Sequence, residues 1–283
     1  MIIRKVIAAL VAALLIVSSV AALADISIGV PNDTTNEARA LQLLADNGII
    51  ELAEGAGETA TKADVIADGI EIVEVQADLL VNQLPDLDYA VINSNFVLDA
   101  LDAGFEINTA LLTEAEDKYL PRANIIAVHS DNVDADLTKA LVAACRSQQV
   151  KDYIEATYAG AVLSVVDEPT DGYDPTVDYE KLKGTTISIA VTPVPHKQVA
   201  EVAAKLLAEK GITLDIIEVT DYVTPNEFVE SGDVYANYFA HIPYQENFNK
   251  ENGTHLVIVA PVHVEPMAIY GGQQSDLSLL TGK

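Results

Sequence analysis

The feature that most constrains the fold of this chain is a strand-turn-helix pattern that occurs twice. The first copy begins at Ile26 with the strand ISIGV and continues into the helical sequence TNEARALQLLADNG. The second begins at Thr186 with TISIAVT and passes through PVP into HKQVAEVAAKLLAEKG, after which ITLDIIEV has the pattern of a further strand. Because short β-branched strands alternate with helical segments, the sequence predicts an α/β protein with parallel or mixed sheets. The two similar openings predict two lobes.

A segment without apolar periodicity separates the two copies. It covers residues 167–184, reads DEPTDGYDPTVDYEKLKG, and is rich in Asp, Pro and Gly, which is typical of linkers. The chain has 283 residues and a common domain has roughly 150, so the length also agrees with two lobes.

The first helix carries start and stop signals. Thr34 and Glu37 have the spacing of a capping box. Leu41 and Leu44 give the helix an apolar face, and Gly48 is placed to end it. We therefore expect Thr34 to be the N-cap of a helix that follows the first strand after a short turn.

The first 24 residues have the pattern of an export signal. Arg4 and Lys5 precede a long apolar run, and ALA at residues 22–24 offers a cleavage site with small residues. An uncleaved membrane anchor is the alternative, because the run approaches the ~20 residues that span a bilayer. We expect an exported protein of the periplasm or cell envelope, with residues 1–24 as its signal peptide or anchor.

Composition excludes several classes of partner and site. The chain has 16 Lys and Arg against 43 Asp and Glu, a formal net charge of -27, so we expect neither a nucleic acid nor an anionic membrane as partner. Cys145 is the single cysteine and lies in a helical pattern, which predicts a buried structural thiol and excludes an intrachain disulfide. With no cysteine near residue 24, we also expect no lipid anchor of the bacterial lipoprotein kind.

The sequence carries no common motif for catalysis or for a cofactor. GAGETATK near Gly55 lacks the G-K-[ST] ending of a phosphate loop, and neither G-x-G-x-x-G nor G-x-S-x-G occurs. The histidines form neither H-x-x-x-H nor H-E-x-x-H. They are His129, His196, His241, His255 and His263. We therefore predict no catalytic residues, no cofactor and no metal site.

Arg39 is the sharpest single candidate for ligand binding. It lies in the first turns of the helix that follows the first strand, where open α/β sheets bind their ligands. A guanidinium at such a place suits a carboxylate. A surface arginine paired with Glu37 or a nearby Asp is the alternative.

Residues 220–253 are rich in aromatic side chains for a chain that is only 6% aromatic. They include Tyr222, Tyr235, Tyr238, Phe239 and Tyr244, with Asn237 and His241 among them. Core packing is the default explanation. The association with amide and imidazole groups around a Pro-containing turn instead favours a pocket for an apolar side chain with a few polar contacts.

Six segments carry a family resemblance. They are VPNDTTNEARALQLL, YAVINSNF, PRANIIAV, AVTPVPHKQVAE, TDYVTPNEFVESGDVYANYFAHIPYQENFNKENG and VIVAPVHVEPMAIY, and they cover most of residues 25–165 and 184–283. In these segments the chain resembles the methionine-binding, NlpA-type substrate-binding proteins of bacterial ABC importers. The resemblance implies a two-lobed α/β flytrap, a type II-like periplasmic-binding-protein fold that closes on an amino acid.

The order of the segments differs from the order in that family, so the chain resembles a circularly permuted member. Family members run from TPVPH through VHVEP to PNDTTNEARAL, whereas here the last group comes first. We therefore expect lobe II at 25–121, a crossing and the C-terminal part of lobe I at 122–166, the linker at 167–184, lobe I at 185–266, and a crossing and tail at 267–283 that return to lobe II. The crossings are expected near Arg122–Asn124 and Met267–Gly272. A piece of a tandem gene is the alternative.

The resemblance also implies the ligand-binding residues. They are Arg39, Asn93, Asn124, Tyr222, Phe239, His241 and Tyr244. In that family's pattern the arginine clamps the α-carboxylate of the ligand and the two asparagines orient its polar end. The aromatic residues and the histidine surround the ligand side chain.

The function implied by the resemblance is binding, without catalysis. The chain would capture L-methionine or a similar amino acid between its lobes and present it to the permease and ATPase subunits of an ABC importer, and we expect it to act as a monomer. An exported sensor or interaction protein is one alternative. An exported hydrolase of an amino-acid derivative, with His241 as its base, is another.

Overall fold

The described chain begins with ten strands and helices that are built mostly around one sheet. A computed structural model describes residues 26–105, 107 and 109–281, so the predicted export signal lies outside the described residues. The first elements are β1 (Ile26–Pro31), α1 (Thr34–Asp46), β2 (Glu51–Leu52), β3 (Val65–Ile66), β4 (Ile70–Val75), α2 (Leu80–Gln83), β5 (Tyr89–Ile92), α3 (Ser94–Asp102), β6 (Leu112–Thr113) and α4 (Glu116–Tyr119).

The remaining elements begin at β7 and form a second unit before the chain returns to the first. They are β7 (Asn124–His129), α5 (Asp136–Cys145), α6 (Gln148–Tyr158), β8 (Leu163–Ser164), α7 (Tyr179–Leu182), β9 (Thr186–Val191), α8 (Gln198–Glu209), β10 (Thr213–Glu218), α9 (Thr224–Ser231), β11 (Ala236–His241), α10 (Ile242–Asn252), β12 (Leu256–Val264), β13 (Ala268–Gly271) and α11 (Ser278–Thr281). Among the described residues, no helix has both the length and the hydropathy needed to cross a membrane.

Two sheets define two lobes. Lobe II contains a five-stranded sheet of order β4-β1-β5-β13-β6, in which β4, β1 and β5 are parallel and β13 is antiparallel to both of its neighbours. Lobe I contains a six-stranded sheet of order β10-β9-β11-β7-β12-β8, in which β10, β9 and β11 are parallel. The predicted two-lobed α/β fold with mixed sheets is confirmed.

The first helix starts one residue earlier than its sequence signals predict. Asp33 is its N-cap, in extended conformation, and its carboxylate accepts a hydrogen bond from the Asn36 backbone N–H at 3.0 Å. Glu37 accepts from the Lys62 backbone N–H at 2.7 Å. The expected capping box is therefore wrong, because Asp33 is an equally good cap and its carboxylate reaches the free N–H groups first.

Each lobe has its own buried core. In lobe II, Leu41 and Leu44 of α1 are fully buried with Ile28 of β1. In lobe I, Cys145 is fully buried at the end of α5, and burial raises the pKa of its thiol to about 12. The thiol is therefore held in its unreactive, protonated form, as expected of a structural cysteine.

The chain passes between the lobes twice. The first passage lies between β6 and β7 and ends at Asn124, and the second spans residues 265–267 between β12 and β13. The second passage lies before the expected position at Met267–Gly272, because Ala268 already pairs with Ile92 in the sheet of lobe II. Both passages border the cleft between the lobes.

Residues 167–184 are ordered against lobe I. The Tyr173 hydroxyl donates to Glu209 Oε2 at 2.6 Å, and the Lys210 ammonium lies 4.0 Å from the centre of the Tyr173 ring. The Thr170 N–H donates to the Arg146 carbonyl at 3.0 Å. The segment joins β8 to β9, so both of its ends lie in the six-stranded sheet.

The C-terminal tail packs on lobe II. Gln274 donates through Nε2 to Asp88 Oδ1 at 2.8 Å, and the Tyr89 hydroxyl donates to the Asp276 carbonyl at 2.7 Å. Leu280 of α11 is 4% exposed and belongs to the same apolar cluster as Ile26. The tail is therefore held on lobe II, the lobe that begins at Ile26, by noncovalent contacts.

Candidate functional site

One cavity between the lobes is lined by every residue that the sequence predicts to bind a ligand. These are Arg39, Asn93, Asn124, Tyr222, Phe239, His241 and Tyr244, joined by Asn36, Ser94, Asn95, Ala240 and Glu265. The cavity lies where strands end: Asn93 follows β5, His241 ends β11, and Asn124 begins β7, which runs antiparallel to β11. The geometry brings the seven residues together, and their role in binding remains a prediction.

Arg39 is buried and paired with a carboxylate that sequence analysis did not identify. Its side chain is 5% exposed, Nε lies 3.0 Å from Glu114 Oε1, and Nη2 lies 2.5 Å from Glu114 Oε2. Nη2 also donates to the Glu265 carbonyl at 2.9 Å. The alternative of a surface arginine paired with Glu37 is therefore wrong. Within the described chain, Nη1 is the guanidinium nitrogen without a hydrogen-bond partner.

Asn36 links the two lobes through its side-chain amide. Its Nδ2 donates to both carboxylate oxygens of Asp33, at 2.9 and 3.0 Å, which fixes the orientation of the amide. Its Oδ1 then accepts from Asn93 Nδ2 at 2.8 Å and from His241 Nε2 at 3.1 Å. A residue from each lobe thus donates to one oxygen.

The side-chain oxygen of Asn93 is a free hydrogen-bond acceptor among the described residues. Its side chain is 6% exposed, and its Oδ1 is buried without a hydrogen-bond partner among the described residues. A buried acceptor in this state costs about 1–3 kcal/mol, and a bound donor would recover it. Because Asn93 lines the cavity, this oxygen is a candidate contact for a ligand ammonium.

His241 is held as a neutral hydrogen-bond donor. Its Nδ1 accepts from the Tyr244 backbone N–H at 3.1 Å at the start of α10, so its proton is on Nε2. Burial lowers the pKa of His241 well below its ordinary value, and the charges of Arg39 and Arg122 lower it further. The imidazole therefore donates to Asn36 and has no free lone pair with which to accept a substrate proton.

Three aromatic rings form one wall of the cavity. The ring centres of Tyr222, Phe239 and Tyr244 lie 5.8 to 5.9 Å apart. The Tyr222 hydroxyl donates to Asn95 Oδ1 at 2.7 Å across the cleft. Tyr235 and Tyr238 do not line the cavity: the first reaches Thr138 and the second is fully buried in lobe I. The default explanation of core packing is correct for these two.

Asn124 is oriented by a buried histidine. Its Oδ1 lies 3.2 Å from His196 Nε2, and His196 Nδ1 lies 2.7 Å from Thr192 Oγ1. Since the imidazole N–H occupies the amide oxygen, the Asn124 NH₂ group remains for the cavity. Local sequence could not show this arrangement, because His196 is 72 residues from Asn124.

The chain is similar to known proteins over most of its length. The family model described as NlpA lipoprotein matches residues 16–166 and 187–283. The chain is 44% identical over 92 residues to the methionine-binding lipoprotein MetQ of Bacillus subtilis, covering 32% of this chain and 34% of the relative. It is 32% identical over 139 residues to the probable D-methionine-binding lipoprotein MetQ of Pasteurella multocida, covering 48% and 49%.

A solved nutrient binding protein from Burkholderia cenocepacia, bound to methionine, is 40% identical over 29% of this chain and 37% of that chain, with a TM-score of 0.27. Each alignment with the first curated relatives spans about a third to a half of the relative's length. The family model, by contrast, accounts for nearly all of the described residues in two segments. This chain therefore belongs to the NlpA lipoprotein family.

Proposed function

We propose that this protein captures methionine or a related amino acid between its two lobes and delivers it to an ABC importer. One observation carries the proposal: seven residues matched to the family's ligand site, scattered from Arg39 to Tyr244, line a single cavity. Relatives named methionine-binding lipoproteins support the same ligand class. The permease and ATPase subunits of the importer are the expected partners, and the protein is expected to act as a monomer.

The cavity offers a complementary group for each part of an amino acid. Arg39 Nη1 suits the α-carboxylate, and the unpartnered Asn93 Oδ1 suits the ammonium. The rings of Tyr222, Phe239 and Tyr244 suit an apolar side chain, and a thioether gains ~0.3–1.5 kcal/mol against such rings. Binding in this mode needs groups from both lobes, so occupancy favours the closed state.

We propose further that the chain is exported and circularly permuted. The family model leaves out residues 167–186, and the segment there joins two strands of the same sheet. Residues 1–24 would act as signal peptide or anchor, and the relatives named lipoproteins support a place in the cell envelope. The hydrolase alternative has less support, because both nitrogens of His241 are engaged in hydrogen bonds.

Isothermal titration calorimetry on unfolded and refolded protein tests the proposal, since refolding removes any ligand carried through purification. We expect one-to-one binding of L-methionine or another apolar amino acid at micromolar or tighter affinity. Asn93→Ala should weaken binding by about 1.5–3 kcal/mol, the worth of a hydrogen bond to a charged group.

Asn237→Ala is the matched control for that variant. Asn237 is a fully buried asparagine that pairs with Asn226 away from the cavity, so its loss should lower stability and leave affinity unchanged. A folded wild-type protein that binds no amino acid would contradict the proposal. Equal affinity in both asparagine variants would contradict the assigned site.

A further inference from the structure

A buried cluster of metal-ligand type lies beside the cavity. It consists of His196, His263 and Glu265, whose side chains are 1%, 0% and 7% exposed. They come from the turn before α8, from the end of β12 and from the second passage between the lobes. The proposed capture of an amino acid assigns no task to the two histidines beyond the orientation of Asn124.

The donor atoms of the cluster converge. His263 Nε2 lies 2.7 Å from Glu265 Oε1, and His196 Nε2 lies 3.8 Å from the same oxygen. One ligand atom from each residue lies within 4.8 Å of the others. A metal ion bound at about 2.1 Å from each donor holds its ligands about 3–4 Å apart, so small side-chain shifts would complete the site.

Both imidazole rings are anchored on the side away from the carboxylate. His196 Nδ1 lies 2.7 Å from Thr192 Oγ1, and His263 Nδ1 is hydrogen-bonded to the Tyr238 hydroxyl. Histidines that bind metals nearly always hold their second ring nitrogen in this manner, which fixes the ring and its tautomer. Here two rings share that arrangement: His263 Nε2 faces Glu265, and His196 Nε2, which contacts Asn124 Oδ1 at 3.2 Å, lies 3.8 Å from the same carboxylate.

The charge of Glu265 has no basic partner among the described residues other than these histidines. Arg39 contacts the Glu265 backbone carbonyl, and its guanidinium charge is paired with Glu114. A carboxylate buried to this degree is stabilised by a cation in direct contact. A divalent ion held between the two imidazoles and the carboxylate would supply that charge.

We propose that His196, His263 and Glu265 bind one divalent transition-metal ion of the zinc, cobalt or nickel class at the wall of the cavity. Imidazole nitrogen with carboxylate oxygen is the donor set that these ions share. In the bound state each ring would hold the ion through Nε2 and donate its Nδ1 proton to the hydroxyl of Thr192 or Tyr238, and His196 Nε2 would give up its contact with Asn124 Oδ1.

A second histidine cluster provides the control. His129, Glu230 and His255 also bring their donor atoms within 4.8 Å of one another, at the opposite end of β7 from the cavity. This trio is open to solvent, with the His255 side chain 65% exposed. Removal of His255 therefore abolishes the exposed trio and leaves the buried cluster intact.

Titration of the chelator-stripped full chain with Co²⁺, followed by its visible absorption, tests the proposal. Excess Mg²⁺ is included because it binds the many exposed carboxylates, which prefer hard cations, and so suppresses nonspecific binding of Co²⁺ there. We expect one Co²⁺ per chain, displaced by Zn²⁺, and at least ~100-fold weaker binding in His263→Gln. Binding in His255→Ala should equal that of the wild type.

X-ray absorption of Zn²⁺-loaded His255→Ala counts the imidazole ligands of the ion. This measurement does not depend on whether the His263 variant folds. Two imidazole ligands are expected there. Absence of stoichiometric binding, or binding lost in His255→Ala and kept in His263→Gln, would overturn the proposal. Amino-acid titrations of the metal-free protein measure the proposed function separately, so either idea can fail alone.

Discussion

The Arg39 guanidinium has an observed ion pair and a proposed role in ligand binding. Its Nε and Nη2 are committed to Glu114, while the resemblance assigns the side chain to the carboxylate of the ligand. The pair leaves Nη1 for a ligand and also fixes the plane of the guanidinium in the cavity wall. Glu114 accepts in addition from the Met267 N–H at 3.1 Å, which ties the arginine to the second passage between the lobes.

Arg39→Ala should therefore weaken both ligand binding and folding. The affinity should fall by about 2 kcal/mol or more, because a ligand carboxylate loses its partner in a dry cleft. The free energy of unfolding should fall by about 3–5 kcal/mol, because Glu114 remains buried without its partner. Calorimetry and urea denaturation measure the two losses.

Glu114→Gln separates the two tasks of the arginine. It removes the competing carboxylate, so we expect lower stability but affinity at least equal to the wild type. Arg39→Ala with undiminished affinity would remove Arg39 from the ligand site, and a large loss of affinity in Glu114→Gln would show that the ion pair itself is required.

His241 should make the stability of the protein depend on pH. Burial keeps its pKa in the folded state well below 6.5, whereas the unfolded chain regains the ordinary value. Between these two values the unfolded state binds one more proton, so the free energy of unfolding falls by about 1.4 kcal/mol per pH unit as the pH is lowered. The contribution is complete above the ordinary pKa and is lost below it.

His241→Gln provides the comparison, because glutamine can donate to Asn36 but does not titrate. Urea denaturation at several pH values from about 5 to 7 should give a shallower slope for the variant than for the wild type. Parallel stability curves for the two proteins would contradict the prediction.

At the scale of elements, the local sequence was sufficient to predict the positions of the main strands and helices. The strands at Ile26 and Thr186 and the helices after them were predictable, because alternation and helical spacing of apolar residues reflect burial on a sheet. The start of the first helix was misplaced, since Asp33 and Thr34 are both good caps and only the folded geometry chooses between them. Composition predicted an irregular linker but not its packing through Tyr173.

The short C-terminal helix α11 contributes to stability through the one side that faces the core of lobe II. Leu280 is 4% exposed and packs in the core of lobe II, whereas its neighbour Leu279 is 45% exposed. Leu280→Ala should lower the free energy of unfolding by about 2–5 kcal/mol, the cost of a cavity in a packed core. Leu279→Ala should change it by no more than about 0.5 kcal/mol.

Chemical denaturation of the two leucine variants measures whether the tail is part of the cooperative fold. Equal and small losses would mean that the tail detaches without cost to lobe II. Equal and large losses would mean that the exposed side of α11 is also covered in solution.

At the scale of the whole molecule, the site depends on contacts that no local motif reveals. Arg39 meets Glu114 across 75 residues, and Asn36 meets His241 across 205. The family resemblance supplied Arg39 and His241 but neither partner, because buried pairing follows from how the lobes close. Glu114 is one of many acidic residues in this chain, and nothing in the sequence around it indicates that it is buried.

The proposed circular permutation makes a prediction for the molecule as a whole. A re-ordered chain that runs from residue 185 to 283, continues into residue 25 and ends at 166 restores the order of the family. It keeps both passages between the lobes, at residues 114–123 and 265–267, and every strand pairing of the two sheets. Leu280 and Ile26, which lie near the two ends to be joined, belong to one apolar cluster of lobe II.

We therefore expect the re-ordered chain to fold with a similar thermal midpoint and to bind the same amino acid with the same stoichiometry and affinity. The re-ordered chain loses the contacts that residues 167–184 make with lobe I, such as the one between Tyr173 and Glu209. The other contacts within each lobe and across the cleft are the same in the two orders, and chain order changes loop-closure entropy by only about 1 kcal/mol. A second version carries a Gly/Ser insert at the new joint. Comparison of the two versions distinguishes the effect of strain at the joint from the effect of chain order. If both versions fold but bind nothing, the linker at 167–184 is required for closure, and the permutation has altered function as well as order.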